Sequence, residues 1–220
     1  MSFIVAIDGP AGSGKGTVAK ALSQKYNFIN IETGAMYRCI ALKCLNNDIT
    51  LDEKEKIIEL SKNIDIILNK DGTVILDGKD VTSQIRTKAI SDIVPLVSSI
   101  KEVRQNLIAL QRKMAEGKNV VMEGRDITTK VFPNANVKIY LDATVEERAN
   151  RRYKEMIEKG TNTSYEEVLE SIKQRDERDR KKEIGLMIAP DAIVVDTTGV
   201  TIENVIKKIS QIIENTDSWS

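Results

Sequence analysis

The sequence predicts an α/β fold with one parallel sheet covered by helices on both faces. Near-continuous apolar runs of four or five residues recur along the chain, separated by stretches of helical spacing, which is how strands buried on both faces read. Glycines crowd into a single loop between the first such run and the first helical stretch. One interval breaks the alternation with two Asp-Gly turns, a hairpin signal inserted between the sheet elements. The 220 residues are 41% hydrophobic, enough for one sizeable core and one main domain.

The first strand is Phe3-Ile4-Val5-Ala6-Ile7, ending in Asp8, and a helix is expected from Val18 to Lys25. Between them lies Gly9-Pro10-Ala11-Gly12-Ser13-Gly14-Lys15-Gly16-Thr17. Glycines at these spacings let backbone N–H groups turn inward as a nest, and the following helix aims its positive N-terminus at the same point. Lys15, read as an exposed loop lysine, adds a mobile point charge. Strand, loop and helix in this order form a phosphate cradle, so the protein handles a nucleotide. Gly16 separates Lys15 from the hydroxyl of Thr17, whereas the general loop has Ser or Thr directly after its lysine.

Phe28-Ile29-Asn30-Ile31 is the second strand, and Ala35 to Asn46 is helical through Met36, Ile40, Leu42 and Leu45. The hairpin interval follows: Ile64 to Leu68, a turn at Asn69-Lys70-Asp71-Gly72, Thr73 to Leu76, a turn at Asp77-Gly78-Lys79-Asp80 and then Val81. It reads equally as a substrate-binding flap or as a plain surface hairpin. A helix from Val103 to Ala115 leads to the strands Asn119 to Glu123 and Val137 to Leu141. Thr144 caps a helix from Val145 to Glu158, with Glu146 and Glu147 in the first turn where the helix dipole favours anions. A helix from Tyr165 to Arg180, a strand from Ala192 to Asp196 and a helix from Ile202 to Ile213 complete the alternation, and Thr216 to Ser220 reads as a frayed tail.

Lys plus Arg and Asp plus Glu both number 33, and this zero net charge argues against a nucleic-acid polymer or an anionic membrane as the main partner. Histidine is absent, which removes His-dependent general bases, triads and metal sites. Cys39 and Cys44, five apart on one helix, read as reduced core thiols and point to the cytoplasm. The N-terminus enters a strand at once without a signal pattern, and no segment is apolar over a membrane-spanning length.

Arginines gather at Arg38, Arg104, Arg125 and the run Arg175, Arg178 and Arg180. Glu123-Gly124-Arg125-Asp126 sits just beyond the carboxyl end of a strand, where a parallel sheet opens its ligand crevice. There Arg125 offers a bidentate donor and Asp126 an acceptor. The stretch Arg175-Asp176-Glu177-Arg178-Asp179-Arg180 is either a salt-bridged helix or a mobile, arginine-rich lid. Phosphoryl transfer between two nucleotides gathers more negative charge than one lysine and one magnesium ion offset, which favours the lid. A monophosphate acceptor already carries an ionised oxygen, its second pKa being near ~6, so a chain without histidine suits it.

Asp8 through Thr17, Thr33-Gly34-Ala35-Met36-Tyr37-Arg38, Gly124-Arg125-Asp126, Val131-Phe132-Pro133, Lys138 through Ala143 and Arg175 through Arg180 together closely resemble the bacterial cytidylate kinase family. The Gly16 spacing is similar to that of nucleoside monophosphate kinases at large. The resemblance runs from the first strand to the last helix. It implies a three-layer P-loop kinase fold with a five-stranded parallel sheet, an inserted monophosphate-binding subdomain with a small antiparallel sheet, and a helical lid. The expected single domain has its core at 1–34, 102–150 and 184–220, the insert at 35–101 and the lid at 151–183. The implied reaction moves the γ-phosphoryl group of ATP to CMP or dCMP, with Mg2+ bound mainly through ATP phosphates and water.

On this resemblance Gly9, Pro10, Ala11, Gly12, Ser13, Gly14, Lys15, Gly16 and Thr17 bind ATP. Thr33 and Arg38 approach the acceptor phosphate, Arg104 and Asp126 contact cytosine, Arg125 holds phosphate, and Arg175 and Asp179 meet the ribose. Lys15, Arg125, Arg175 and Arg178 neutralise the developing charge. Pro95 stands where the family has a serine that reaches the base, leaving Ser98 or Ser99 as substitutes. Lys182 replaces an arginine and supplies charge without a bidentate fork. The phosphate loop alone also suits an AMP or UMP kinase or a nucleotide-binding module without chemistry. A guanine-nucleotide switch lacks its Asn-Lys-x-Asp signature here. A monomer is expected, because no long apolar stripe is left unassigned.

Overall fold

The apolar runs of the sequence become strands. The computed structural model describes residues 2–158, 160–181 and 186–217, with no side chain described for Arg180 or Lys181, so Lys182 and the last three residues of the tail lie outside the described residues. In chain order the elements are β1 (Ile4–Asp8), α1 (Lys15–Tyr26), β2 (Ile29–Glu32), α2 (Thr33–Asn46), α3 (Lys54–Lys62), β3 (Ile66–Leu68), β4 (Val74–Leu76) and β5 (Lys79–Asp80). There follow α4 (Lys88–Val97), α5 (Lys101–Ala115), β6 (Val120–Gly124), β7 (Val137–Asp142), α6 (Val145–Glu158), α7 (Tyr165–Lys181), β8 (Ile193–Asp196) and α8 (Ile202–Glu214). The larger sheet has five strands in the order β2-β6-β1-β7-β8, and the smaller has three in the order β3-β4-β5. The chain divides into two compact units, Phe3–Phe28 with the chain from Asn119 onward, and Ile29–Lys118.

In the first unit β1 is central, pairing in parallel with β6 (Ile4 opposite Val120, Asp8 opposite Gly124) and with β7 (Val5 opposite Val137, Asp8 opposite Tyr140). This register levels the carboxyl ends of three strands, so the loops after Asp8, Gly124 and Asp142 leave the sheet at one edge. Val5, Ala6 and Ile7 are all fully buried although alternate side chains of a strand face opposite ways, so the sheet is covered on both faces. Leu22 of α1 and Ile209 and Ile213 of α8 pack with Val5, Ile139 and Leu141 in the main core. At the sheet edge β8 leaves Ile193 and Val194 exposed. Helices α6 and α7 form their own small core around Ala149, Val168 and Ile172, with Tyr153 and Tyr165 edge to face at 6.2 Å. The Thr144 hydroxyl accepts from the Glu147 N–H at 3.3 Å, capping α6 as its sequence requires.

In the second unit Cys39 and Cys44 are buried, free thiols on α2, pushed up to about 12 and about 11 chiefly by burial. The two Asp-Gly turns form the hairpins: Gly72 has φ 95°, and Asp77 and Gly78 have φ 48° and 78°, the left-handed pair that a tight two-residue turn needs. The second turn is shorter than its sequence suggests, because Lys79 and Asp80 pair with Leu76 and Ile75 as a third strand. Helices α3 and α4 occupy stretches for which the apolar pattern sets no element. In α4, Pro95 sits inside the helix three residues before its C-cap, Ser98, although it has no N–H to donate along the helix.

Candidate active site

The phosphate loop folds as its glycines demand. Gly12 and Gly14 have φ 77° and 87°, and Gly14 caps α1. A Cβ on Gly9 would stand 2.2 Å from the Leu141 carbonyl oxygen, so loop and β7 touch through backbone there. Gly9→Ala is therefore expected to cost about 3 kcal/mol or more of stability, measured by urea denaturation. Lys15 is not the exposed loop lysine its position suggests: it is buried, and its Nζ donates to the Pro10 carbonyl at 3.1 Å and lies 4.0 Å from Glu123. Burial, then the neighbouring Arg125, pull its ammonium down to about 7, against the pull of Glu123. The Ser13 hydroxyl is buried in the same loop with no hydrogen-bond partner among the described residues. Thr17, on the first turn of α1, is exposed.

Asp8 ends β1 and holds the neighbouring loop. Its carboxylate accepts from the Ile127 N–H at 2.9 Å and from the Thr128 N–H and hydroxyl at 2.8 and 2.6 Å. Burial pushes the Asp8 carboxyl up while these bonds pull it down. The segment Ile127–Val131 is a wide helical turn, and the buried Asp126 starts it, its carbonyl accepting from Lys130 and Val131. Asp8 thus sets the register of Gly124-Arg125-Asp126 beside the phosphate loop. Arg125 reaches across to α7, its Nε donating to Asp179 at 3.1 Å.

Helix α7 presents its arginine run unevenly. Arg175 is exposed and its charge is felt at Lys15. Arg178, also exposed, turns its Nε back to the Gln174 carbonyl of its own helix. Arg180 lies outside the described side chains. Two arginines that spacing alone did not single out as site residues are deeply engaged. Arg148 is buried and paired with Asp176. Arg151 donates to the Thr197 hydroxyl and carbonyl at 2.9 and 2.6 Å and lines a cleft of about 230 Å³ with Ser13, Gly14, Thr17, Thr197 and Val200. Arg152, by contrast, forms a surface pair with Glu155. The usable signal was their place: both sit within two turns of the start of a helix that follows a strand of the sheet.

The second unit holds the other expected residues. Thr33 is buried in the first turn of α2. Arg38 donates through Nη1 to the Ile85 carbonyl at 3.1 Å and to the Ser91 hydroxyl at 3.0 Å. Arg104 is buried, stands 5.9 Å from the Tyr37 ring centroid and donates to the Ser98 carbonyl at 3.2 Å. Ser98 thus meets Arg104 through its carbonyl, while the hydroxyls of Ser98 and Ser99 donate to the Pro95 and Leu96 carbonyls of the α4 end. Among the described residues no cluster of three or more acidic, cysteine or histidine side chains is placed to hold a metal, and no helix is long and apolar enough to cross a membrane.

A family model described as cytidylate kinase matches residues 5–215. The cytidylate kinase of Fusobacterium nucleatum subsp. nucleatum is 52% identical, covering 97% of this chain and 98% of its own. That of Caldanaerobacter subterraneus subsp. tengcongensis is 50% identical, covering 95% and 93%. Among solved structures, an uncharacterized protein from Eubacterium ventriosum aligns over 97% of this chain and 99% of its own at 15% identity with a TM-score of 0.56, a likeness of fold.

Proposed function

The chain belongs to the cytidylate kinase family, and on that premise we propose that it transfers the γ-phosphoryl group of ATP to CMP or dCMP, giving ADP and CDP or dCDP. The observation that carries this reading is identity near one half over almost the whole length of cytidylate kinases from two bacteria. A phosphate oxygen of the acceptor attacks the γ-phosphorus in line as the bond to the bridging oxygen of ADP breaks, and no general base is needed because that oxygen is already ionised. Residues 9–17 hold the donor phosphates. Lys15, Arg125, Arg175 and Arg178 offset charge as it develops on the transferring group. Thr33 and Arg38 approach the acceptor phosphate, Arg104 and Asp126 the cytosine, and Arg175 and Asp179 the ribose.

Magnesium suits the donor set, because the exposed Thr17 hydroxyl is a hard oxygen at the N-terminus of α1 and would hold the ion together with ATP phosphates and water. Bound there, the ion neutralises donor phosphate charge. Both oxygens of Asp8 already accept hydrogen bonds, which suits that carboxylate to holding the loop rather than a metal. The buried thiols suit a reducing cytoplasm, and the protein acts as a monomer.

An ADP-release assay across CMP, dCMP, UMP, AMP and GMP tests the reading. Turnover should be fastest with CMP or dCMP; rapid turnover of AMP and none of CMP would overturn the acceptor, and none with any would overturn the enzyme. For Asp179→Ala, loss of a charged acceptor should raise the KM for CMP about tenfold and alter the CMP to dCMP ratio. An unchanged ratio with unchanged KM values would remove Asp179 from the acceptor site.

A further inference from the structure

Arg148 spends its guanidinium on three different elements. Its Nε donates to the Ala143 carbonyl at 2.9 Å, before α6; its Nη1 donates to the Ala11 carbonyl of the phosphate loop at 3.1 Å; its Nη2 donates to Asp176 Oδ2 of α7 at 2.6 Å. The contact with the loop is steric as well, because a Cβ on Gly12 would meet the Arg148 backbone oxygen and Cβ at 3.0 and 3.1 Å. Arg148 and Asp176 are both buried, with 3% and 10% of their side chains exposed. Asp176 sits beside Arg175, whose charge is felt at Lys15, and three residues before Asp179, which accepts from Arg125.

As a stabilising device this pair is poor. Two buried charges carry a desolvation cost that apolar residues of similar volume avoid, and Asp176 Oδ1 is buried with no hydrogen-bond partner among the described residues. What the pair does supply is a fixed distance and angle between the phosphate loop and the arginine-bearing helix, which an apolar contact would leave loose. We propose that Arg148, through Asp176, is a positioning residue that registers α7 on the phosphate loop, so that phosphate held by the loop and the charges of α7 meet in one geometry. This rests on the reading above that residues 9–17 hold the ATP phosphates.

The test compares wild type, Arg148→Lys, Asp176→Asn and the double variant Arg148→Met with Asp176→Leu. Each is assayed for kcat and KM with CMP, for thermal stability, and for hydrogen exchange of the α7 amides with and without ATP. The single variants should lose about 10- to 100-fold in kcat with the CMP KM within threefold. The double variant, whose apolar pair removes the buried charges but leaves the Ala143 and Ala11 carbonyls without this donor, should melt above the single variants without recovering kcat. ATP should slow exchange in α7 of the wild type and leave it unchanged in the double variant. A stable double variant with wild-type kcat, or one whose α7 is protected by ATP as in the wild type, would overturn the positioning role. Wild-type protein that fails to phosphorylate CMP would overturn the acceptor reading alone, since the exchange measurement stands without turnover.

Discussion

Replacing Lys15 with methionine is expected to lower turnover about a thousandfold in a protein that still folds. Bound ATP phosphates favour the charged form of the Lys15 amine, so the variant removes a positive charge from beside the transferring phosphoryl group at the floor of the loop, where burial makes electrostatics strong. The fold does not need that charge. The buried ammonium sits at about 7 rather than its ordinary 10.5, displaced by desolvation and by Arg125. Between those values the unfolded chain binds a proton that the native state does not, so native stability rises with pH across that window, by roughly 1.4 kcal/mol per pH unit for one proton. Below about pH 7 both states are protonated and the dependence on Lys15 ends. Lys15→Met should therefore match or exceed wild-type stability at pH 7 and lose this part of the slope. Urea denaturation at pH 7 and pH 9, with an ADP-release assay beside it, measures both. Near-normal turnover in the folded variant would remove Lys15 from the transfer step, and an unchanged slope would assign the proton to another group.

Asp8→Ala should be the most destabilising single change near the site, about 3 to 5 kcal/mol, or a fall in melting temperature on the order of 10 °C for a chain of this length. It leaves the Ile127 and Thr128 N–H groups and the Thr128 hydroxyl without their acceptor in a buried position. Because these bonds set the turn that begins at Asp126, kcat should also fall, by about 100-fold, even under conditions where the variant is fully folded. Thermal melting followed by assay well below the transition separates the two effects. A variant with wild-type melting would show that the turn holds itself.

Asp8 also illustrates why part of the site was hidden in the sequence. It appears there as the polar end of an apolar run, and its partners lie about 120 positions away. Lys15 reads in the sequence as an exposed phosphate ligand, and its burial was not legible there, since its charged neighbours Glu123 and Arg125 lie on a different strand and loop. Arg148 looked like one more charge on a polar helix, and only the crossing of α6, α7 and the phosphate loop shows that it touches all three. In the second unit, the apolar pattern set neither α3 nor α4, and α4 carries inside it Pro95, a residue without the N–H that a helix interior uses.

By itself the sequence determined the alternation of strands and helices, the glycine cradle, the two hairpin turns and the cap on α6. Each follows from interactions within a few residues: alternating or periodic burial, positive φ at glycine, and a hydroxyl facing an N–H three residues on. The tertiary structure alone decided which charges are buried, which carboxylate meets which arginine, and how the loops after Asp8, Gly124 and Asp142 converge at one sheet edge. Those outcomes depend on parallel strand register between segments more than a hundred residues apart, and on the desolvation it imposes, neither of which any local pattern encodes.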